Sequence, residues 1–148
     1  FDGRGELWVG GITEPGWMAQ PDRGALFRID FTGLVPFEMK SIHATPSGFR
    51  IVLTKPATKH SLTQAASYGI ESYRYEYSSA YGSPELDRIF HKVEVKRVRS
   101  DGLEVELAVN DLKTDRVFMI SAKGLRSLDK EELVQKVGAY TLNELPAK

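Results

Sequence analysis

Two runs on either side of one turn decide the fold: His91 to Arg99 (HKVEVKRVR) and Leu103 to Val109 (LEVELAV), joined by Ser100-Asp101-Gly102. In the first run Val93, Val95 and Arg97 alternate with Glu94, Lys96 and Val98. In the second, Leu103, Val105, Leu107 and Val109 alternate with Glu104 and Ala108 around Glu106. A period of two places one set on each face of an extended strand, which is the pattern of a strand buried on one side. Asp-Gly between such runs is a two-residue hairpin signal. The pair therefore reads as an antiparallel hairpin.

The same rhythm repeats outward. Toward the N-terminus, Phe37 to Ala44 and Phe49 to Leu53 flank the turn Thr45-Pro46-Ser47-Gly48, and Lys55-Pro56 ends the second run. Residues 58 to 68 are polar and alanine-rich, with room for one helical turn around Leu62 to Ala66. Tyr68 to Tyr77 reads as a strand and Ser78 to Asp87 as a loop holding Gly82 and Pro84. Toward the C-terminus, Asn110 to Asp115 turns into a strand from Arg116 to Ala122, Leu128 to Val137 suits a short helix, and Ala139 to Asn143 closes the chain. Short strands spaced by turn signals argue for an all-β, immunoglobulin-like antiparallel β-sandwich over residues 34–148, not a βαβ sheet.

Residues 1–33 have a different texture. Glu6-Leu7-Trp8-Val9 and Ala25 to Phe31 are two further strands, separated by a long loop from Thr13 to Gly24 that holds two prolines and Trp17. A lone hairpin is marginal in water, so Leu7, Trp8, Val9, Phe27, Ile29 and Phe31 are expected to need a cover, from the sandwich or from another copy. The segment Gly24 to Gly33, followed at once by Pro36-Phe37-Glu38-Met39, marks the junction of two architectures.

Composition excludes several function classes. Twenty basic and twenty acidic side chains cancel, so no global field favours nucleic acid or an anionic membrane. No apolar run approaches the roughly 20 residues needed to span a bilayer. The absence of cysteine removes disulfides, thiolate chemistry and cysteine metal sites.

Candidate chemistry is sparse. Tyr73, Tyr75 and Tyr77 project from one face of a strand, with Tyr81 close behind, and such a platform could stack on sugar rings. Packing against a core or a neighbouring domain is the more ordinary use of the same stripe. His43, His60 and His91 are far apart and not at metal-ligand spacing. Glu71 and Glu76 flank the tyrosines and Glu85 and Asp87 follow, but an acid pair across a cleft is not recognisable from carboxylates this numerous. There is no Gly-x-Ser-x-Gly elbow, P-loop or Gly-x-Gly-x-x-Gly, and Asp101-Gly102 and Asn110-Asp111 lack the oxygen spacing of a calcium loop. No catalytic residue, metal site or cofactor is assigned.

Gly5-Glu6-Leu7-Trp8-Val9-Gly10-Gly11, Gly16-Trp17 and Gly24 to Gly33 resemble the end of a glucose/sorbosone-dehydrogenase-like (quinoprotein-type) β-propeller of large multidomain secreted bacterial proteins. Phe37-Glu38-Met39, Gly48-Phe49, Thr54-Lys55-Pro56, Tyr73-Arg74-Tyr75, Tyr81-Gly82-Ser83-Pro84 and Tyr140 to Pro146 are similar to the region after that propeller. The resemblance implies a secreted or periplasmic parent in which residues 1–33 are the last strands of a truncated propeller. Residues 34–148 are then a non-catalytic accessory sandwich packed on it. Two strands are far short of the roughly four blades a closed ring needs, and no Cys-x-x-Cys-His is present. Quinone binding and electron transfer therefore carry over to no residue here. The expected partners are adjacent domains of the same chain, a second copy through the hairpin, or a carbohydrate on Tyr73, Tyr75, Tyr77 and Tyr81. A part of a glycoside hydrolase is the remaining reading.

Overall fold

The computed structural model describes residues 1–11, 24–79 and 81–147. The expected loop from Thr13, with Gly16-Trp17, lies outside the described residues up to residue 23. The chain divides into two compact units, Phe1–Leu34 and Val35–Lys148.

The first unit is a two-stranded antiparallel hairpin, β1 (Leu7–Gly11) on β2 (Ala25–Ile29), with Leu7 opposite Ile29 and Val9 opposite Phe27. Before β1, the Asp2 carboxylate accepts from the backbone N–H groups of Arg4 and Glu6, and Gly5 supplies the left-handed backbone (φ 81) that closes the turn. Arg28 reaches both Glu6 and Asp30. Among the described residues of this unit Leu26, Phe27 and Phe31 are 68%, 58% and 76% exposed.

The second unit is an antiparallel β-sandwich. One sheet has the order β3 (Met39–Thr45), β4 (Gly48–Leu53), β8 (Glu104–Val109), β7 (Val93–Val98). The other has the order β10 (Val137–Leu142), β9 (Arg116–Ser121), β5 (Gly69–Tyr75), β6 (Glu85–His91). Counting from β3, this is the ABED and GFC strand order of an immunoglobulin-type sandwich, with one strand added beside C.

The alternation seen in the sequence builds the core directly. Phe49 and Ile51 of β4 stand opposite Leu107 and Val105 of β8, and all four are buried. Ile70 of β5, Phe118 and Ile120 of β9 and Leu142 of β10 supply the facing layer. Phe49 and Phe118 meet at 5.1 Å between ring centroids, and Tyr140 adds an edge-on contact to Phe49 at 5.5 Å. These two phenylalanines occupy the B and F strands, where a disulfide pins the sheets of an antibody domain. With no cysteine in the chain, aromatic packing takes that place. Phe37, Leu62, Leu125 and Leu133 cap the core.

Four sequence expectations change. Residues Glu85–His91, expected as loop and the start of a longer strand, form β6, and the chain crosses from one sheet to the other at Lys92. Its charges concealed it, because an edge strand can carry Glu85, Asp87 and Arg88 in solvent. The segment from Leu128 to Val137 is not a helix. Its backbone bonds go to distant partners instead: Val134 N–H to Phe37 O, and Gln135 N–H to the Glu38 carboxylate. Lys130 is left-handed (φ 65), which no helix interior admits. The β7–β8 connection is a four-residue loop, since Arg99 N–H pairs with Glu104 O and Gly102 N–H with Arg99 O. The helical turn lies three residues earlier than expected, α1 (Lys59–Thr63), capped by Thr58 Oγ1 accepting from Ser61 N–H, with a separate 3-10 turn over Ala65–Ser67.

Candidate functional site

The tyrosine stripe lies on and beyond β5, and the structure separates its members. Strand β5 ends at Tyr75, and its pairing with β6 shifts register between Ser72 and Arg74. Tyr73 is 6% exposed. The Arg88 guanidinium sits 5.2 Å from its ring centroid and Tyr75 packs edge-on at 5.2 Å. Its hydroxyl meets the Tyr75 hydroxyl at 3.3 Å, and that bond first, then burial, pushes the Tyr73 phenol up to about 12. Tyr75 is half-exposed, whereas Tyr77 and Tyr81 stand free of the strand in full solvent contact. The four rings do not form one flat platform: Tyr73 has its faces covered, and only the other three are open to a ligand.

Around Tyr73 the outer face is charged. Arg88 pairs with both Glu71 and Glu85, and Arg74 pairs with Asp87. The Arg74 guanidinium holds the Asp87 carboxyl below the usual carboxylate range, by hydrogen bond first and then by charge. Glu71, Glu85 and Asp87 each have a basic partner, so none of the three stands poised as an acid–base pair across a cleft.

A second constellation escaped the sequence reading. Ser72 of β5, His91 of β6 and Arg116 of β9 converge inside the sandwich, at 0%, 8% and 8% exposure. His91 Nδ1 lies 2.9 Å from the carbonyl oxygen of Asn110, so Nδ1 carries the hydrogen and donates. His91 Nε2 then accepts from Ser72 Oγ at 2.8 Å. Ser72 Oγ in turn accepts from Arg116 Nε at 2.8 Å, and Arg116 Nη2 reaches the carbonyls of Ser72 and Asp87. Phe118 stacks on the imidazole at 5.3 Å. The signal that could have revealed the cluster is position: three polar residues at inward-facing places, Ser72 two after Ile70, His91 two after Ile89, Arg116 two before Phe118.

A serine hydroxyl bonded to a histidine is the beginning of a nucleophile–base pair, but the surroundings argue against that chemistry. Ser72 is fully covered, its free lone pair is taken by Arg116, and His91 is oriented by a backbone carbonyl. With Ser72 at 0% exposure, its hydroxyl is closed to a reacting carbonyl from solvent. The arrangement ties β5, β6 and β9 together, and through Asn110 reaches the end of β8 in the other sheet. Its chemistry is that of a satisfied polar rivet.

His43 bonds Ser41 on β3 and His60 sits in α1. Among the described residues no group of three histidine, cysteine, aspartate or glutamate side chains could hold a metal ion. A cavity between α1 and the β7–β8 loop is lined by Pro56, Lys59, Leu62, Val98, Arg99 and Asp101, and its Arg99 and Asp101 are paired with each other.

No protein-family model matches the sequence, and no curated protein matches it. Solved structures of the bacterial surface layer protein SbsC match in fold. Its domains 1–6 align at a TM-score of 0.53 and 18% identity, covering 76% of this chain and 14% of that one. The N-terminal part of the same protein aligns at 0.51 and 16%, covering 74% of this chain and 24% of that one. At these identities the likeness is one of fold, and the present chain spans a small part of the length of either structure.

Proposed function

We propose that the sandwich is a non-catalytic structural module of a larger extracellular protein. One observation carries this reading most directly: the constellation nearest to a catalytic pair, Ser72–His91–Arg116, is buried and fully hydrogen-bonded, which suits a domain built to hold its shape. The fold likeness to modules of a surface layer protein supports the same role and an extracellular setting. In this reading the hairpin Phe1–Leu34, with its exposed Phe27, Ile29 and Phe31, belongs to a neighbouring β domain. The resemblance of its sequence to the end of a quinoprotein-type propeller names the kind of neighbour.

Fractionation of the source cells with an antibody to the sandwich, together with a dye-linked sugar-oxidation assay and a hydrolase panel on the purified chain, tests the proposal. Surface or extracellular protein without turnover is the expected result. Cytoplasmic protein, or turnover abolished by Ser72→Ala in a chain that remains folded, would overturn it.

A second reading, carbohydrate binding, is favoured by the exposure of Tyr75, Tyr77 and Tyr81. Titration with a polysaccharide panel decides it, since binding must weaken in Tyr75→Ala and Tyr77→Ala. A panel without binding eliminates it.

A further inference from the structure

The sandwich has four edge strands, and three are visibly closed to further pairing. β3 carries Lys40 and His43, β6 carries Glu85, Asp87 and Arg88, and β7 carries Glu94, Lys96 and Arg97. Each of these three also pairs with its neighbour through a register shift: Met39/Ser41 for β3, Ser72/Arg74 opposite β6, Val95/Arg97 for β7. Charges and bulges are the devices by which proteins stop an edge from accepting another strand. The fourth edge, β10, has neither. Its sequence, Val137-Gly138-Ala139-Tyr140-Thr141-Leu142, is uncharged, and it pairs with β9 without interruption along its whole length.

The direction of its backbone groups follows from the register. Ala122 N–H donates to Lys136 O across a directly opposed pair. In an antiparallel ladder opposed pairs alternate between bonded and non-bonded. Gly138, Tyr140 and Leu142 therefore turn their N–H and C=O groups to β9, and Val137, Ala139 and Thr141 turn theirs outward. Among the described residues no hydrogen bond reaches those outward groups, and all three residues are exposed.

We infer that β10 is a strand-addition edge whose occupant is the β10 of a second copy of this chain, joined antiparallel about Ala139. The edge is self-complementary. With Ala139 opposite the partner's Ala139, Val137 falls opposite the partner's Thr141, and the reverse pair forms on the other side of the two-fold axis. Each of the three outward residues in one copy then both donates and accepts, giving two bonds for each of three pairs and a continuous sheet across both sandwiches. No like charges are brought together, and β-branched side chains meet across both outer pairs. An isologous contact of this kind closes at a dimer.

Sedimentation equilibrium on the full chain, with circular dichroism as the fold control, tests the pairing. Ala139→Pro removes only an outward N–H, so it spares the ladder to β9 while blocking addition. A dimer whose dissociation constant rises about tenfold or more in Ala139→Pro, with unchanged circular dichroism, is the expected result. Should the proline variant fail to fold, Ala139→Lys carries the test, because a lysine on the edge also guards it. A chain that stays monomeric at hundreds of micromolar overturns the inference. So does a dimer that survives both changes, including one that instead dissociates on Phe27→Glu in the hairpin.

Discussion

Removing the Ser72 hydroxyl tests the rivet reading most sharply. Ser72→Ala leaves the Arg116 Nε–H and the His91 Nε2 lone pair, both now bonded at 2.8 Å, facing a methyl group in a closed interior. Each buried polar group without a partner costs about 1–3 kcal/mol, more when it is charged, so a loss of about 3 kcal/mol is expected for so small a change in volume. With an m-value of about 2 kcal/mol/M for a domain of this size, the urea midpoint should fall by roughly 1.5 M. Arg116→Met keeps much of the packing but strips donors from Ser72 Oγ and from the carbonyls of Ser72 and Asp87, and should cost about 1–3 kcal/mol. The double variant should cost less than the sum, by about 1–2 kcal/mol, because both changes break the same network. Far-UV circular dichroism is the suitable probe, since Trp8 and Trp17 both precede the sandwich. A Ser72→Ala loss below about 0.5 kcal/mol, or strict additivity in the double variant, would refute the idea that these groups satisfy one another.

Other expectations follow from close packing and from charge. A Cβ at Gly48 would lie 2.1 Å from the Leu107 carbonyl oxygen, whereas one at Gly138 would lie 2.6 Å from the movable Cδ1 of Ile42 and 3.6 Å from Met39 Cε. Gly48→Ala should therefore destabilise by about 3 kcal/mol or more and Gly138→Ala by about 1 kcal/mol, read by thermal unfolding. In a spectrophotometric titration the phenols of Tyr68, raised by burial, and Tyr73 should ionise above the ordinary tyrosine range and rejoin it in concentrated urea. Their raised values mean that this stability is present below the ordinary tyrosine range and is lost as pH rises through the folded values. The carboxyls of Asp101, Glu131 and Glu132 are held low by Arg99, Lys55 and Lys136. That stability is present above the ordinary carboxylate range and is lost as pH falls through the lowered values. All three groups are solvent-facing, so the effect should be small and shrink further in molar salt. Acid unfolding that is indifferent to Asp101→Asn and Glu131→Gln together fits that weak limit, while a large loss in either variant at neutral pH contradicts it.

The sequence by itself determined the sandwich and most of its core. Phe49, Ile51, Val105, Leu107, Phe118 and Ile120 all sit at places where a period of two meets strong apolarity, and burial is what selects that pattern. Local pattern could not reveal β6, because an edge strand is stabilised by one neighbour and tolerates charges that elsewhere spell loop. Nor could it show that the segment after Leu128 is irregular, since its apolar spacing suits a helix while its N–H groups are claimed by Phe37 O and the Glu38 carboxylate, nearly a hundred residues away. The fate of the tyrosines was likewise tertiary: Tyr73 and Tyr75 look alike in the chain, but Tyr73 is paired with Val117 of β9 and has Arg88 of β6 over its ring, while Tyr75 lies past the end of the β9 pairing. Ser72, His91 and Arg116 lie up to 44 residues apart and mean nothing singly. Distance in sequence carries no information about a hydrogen bond that closes only once both sheets have formed, so the rivet and the bare edge of β10 belong to the fold alone.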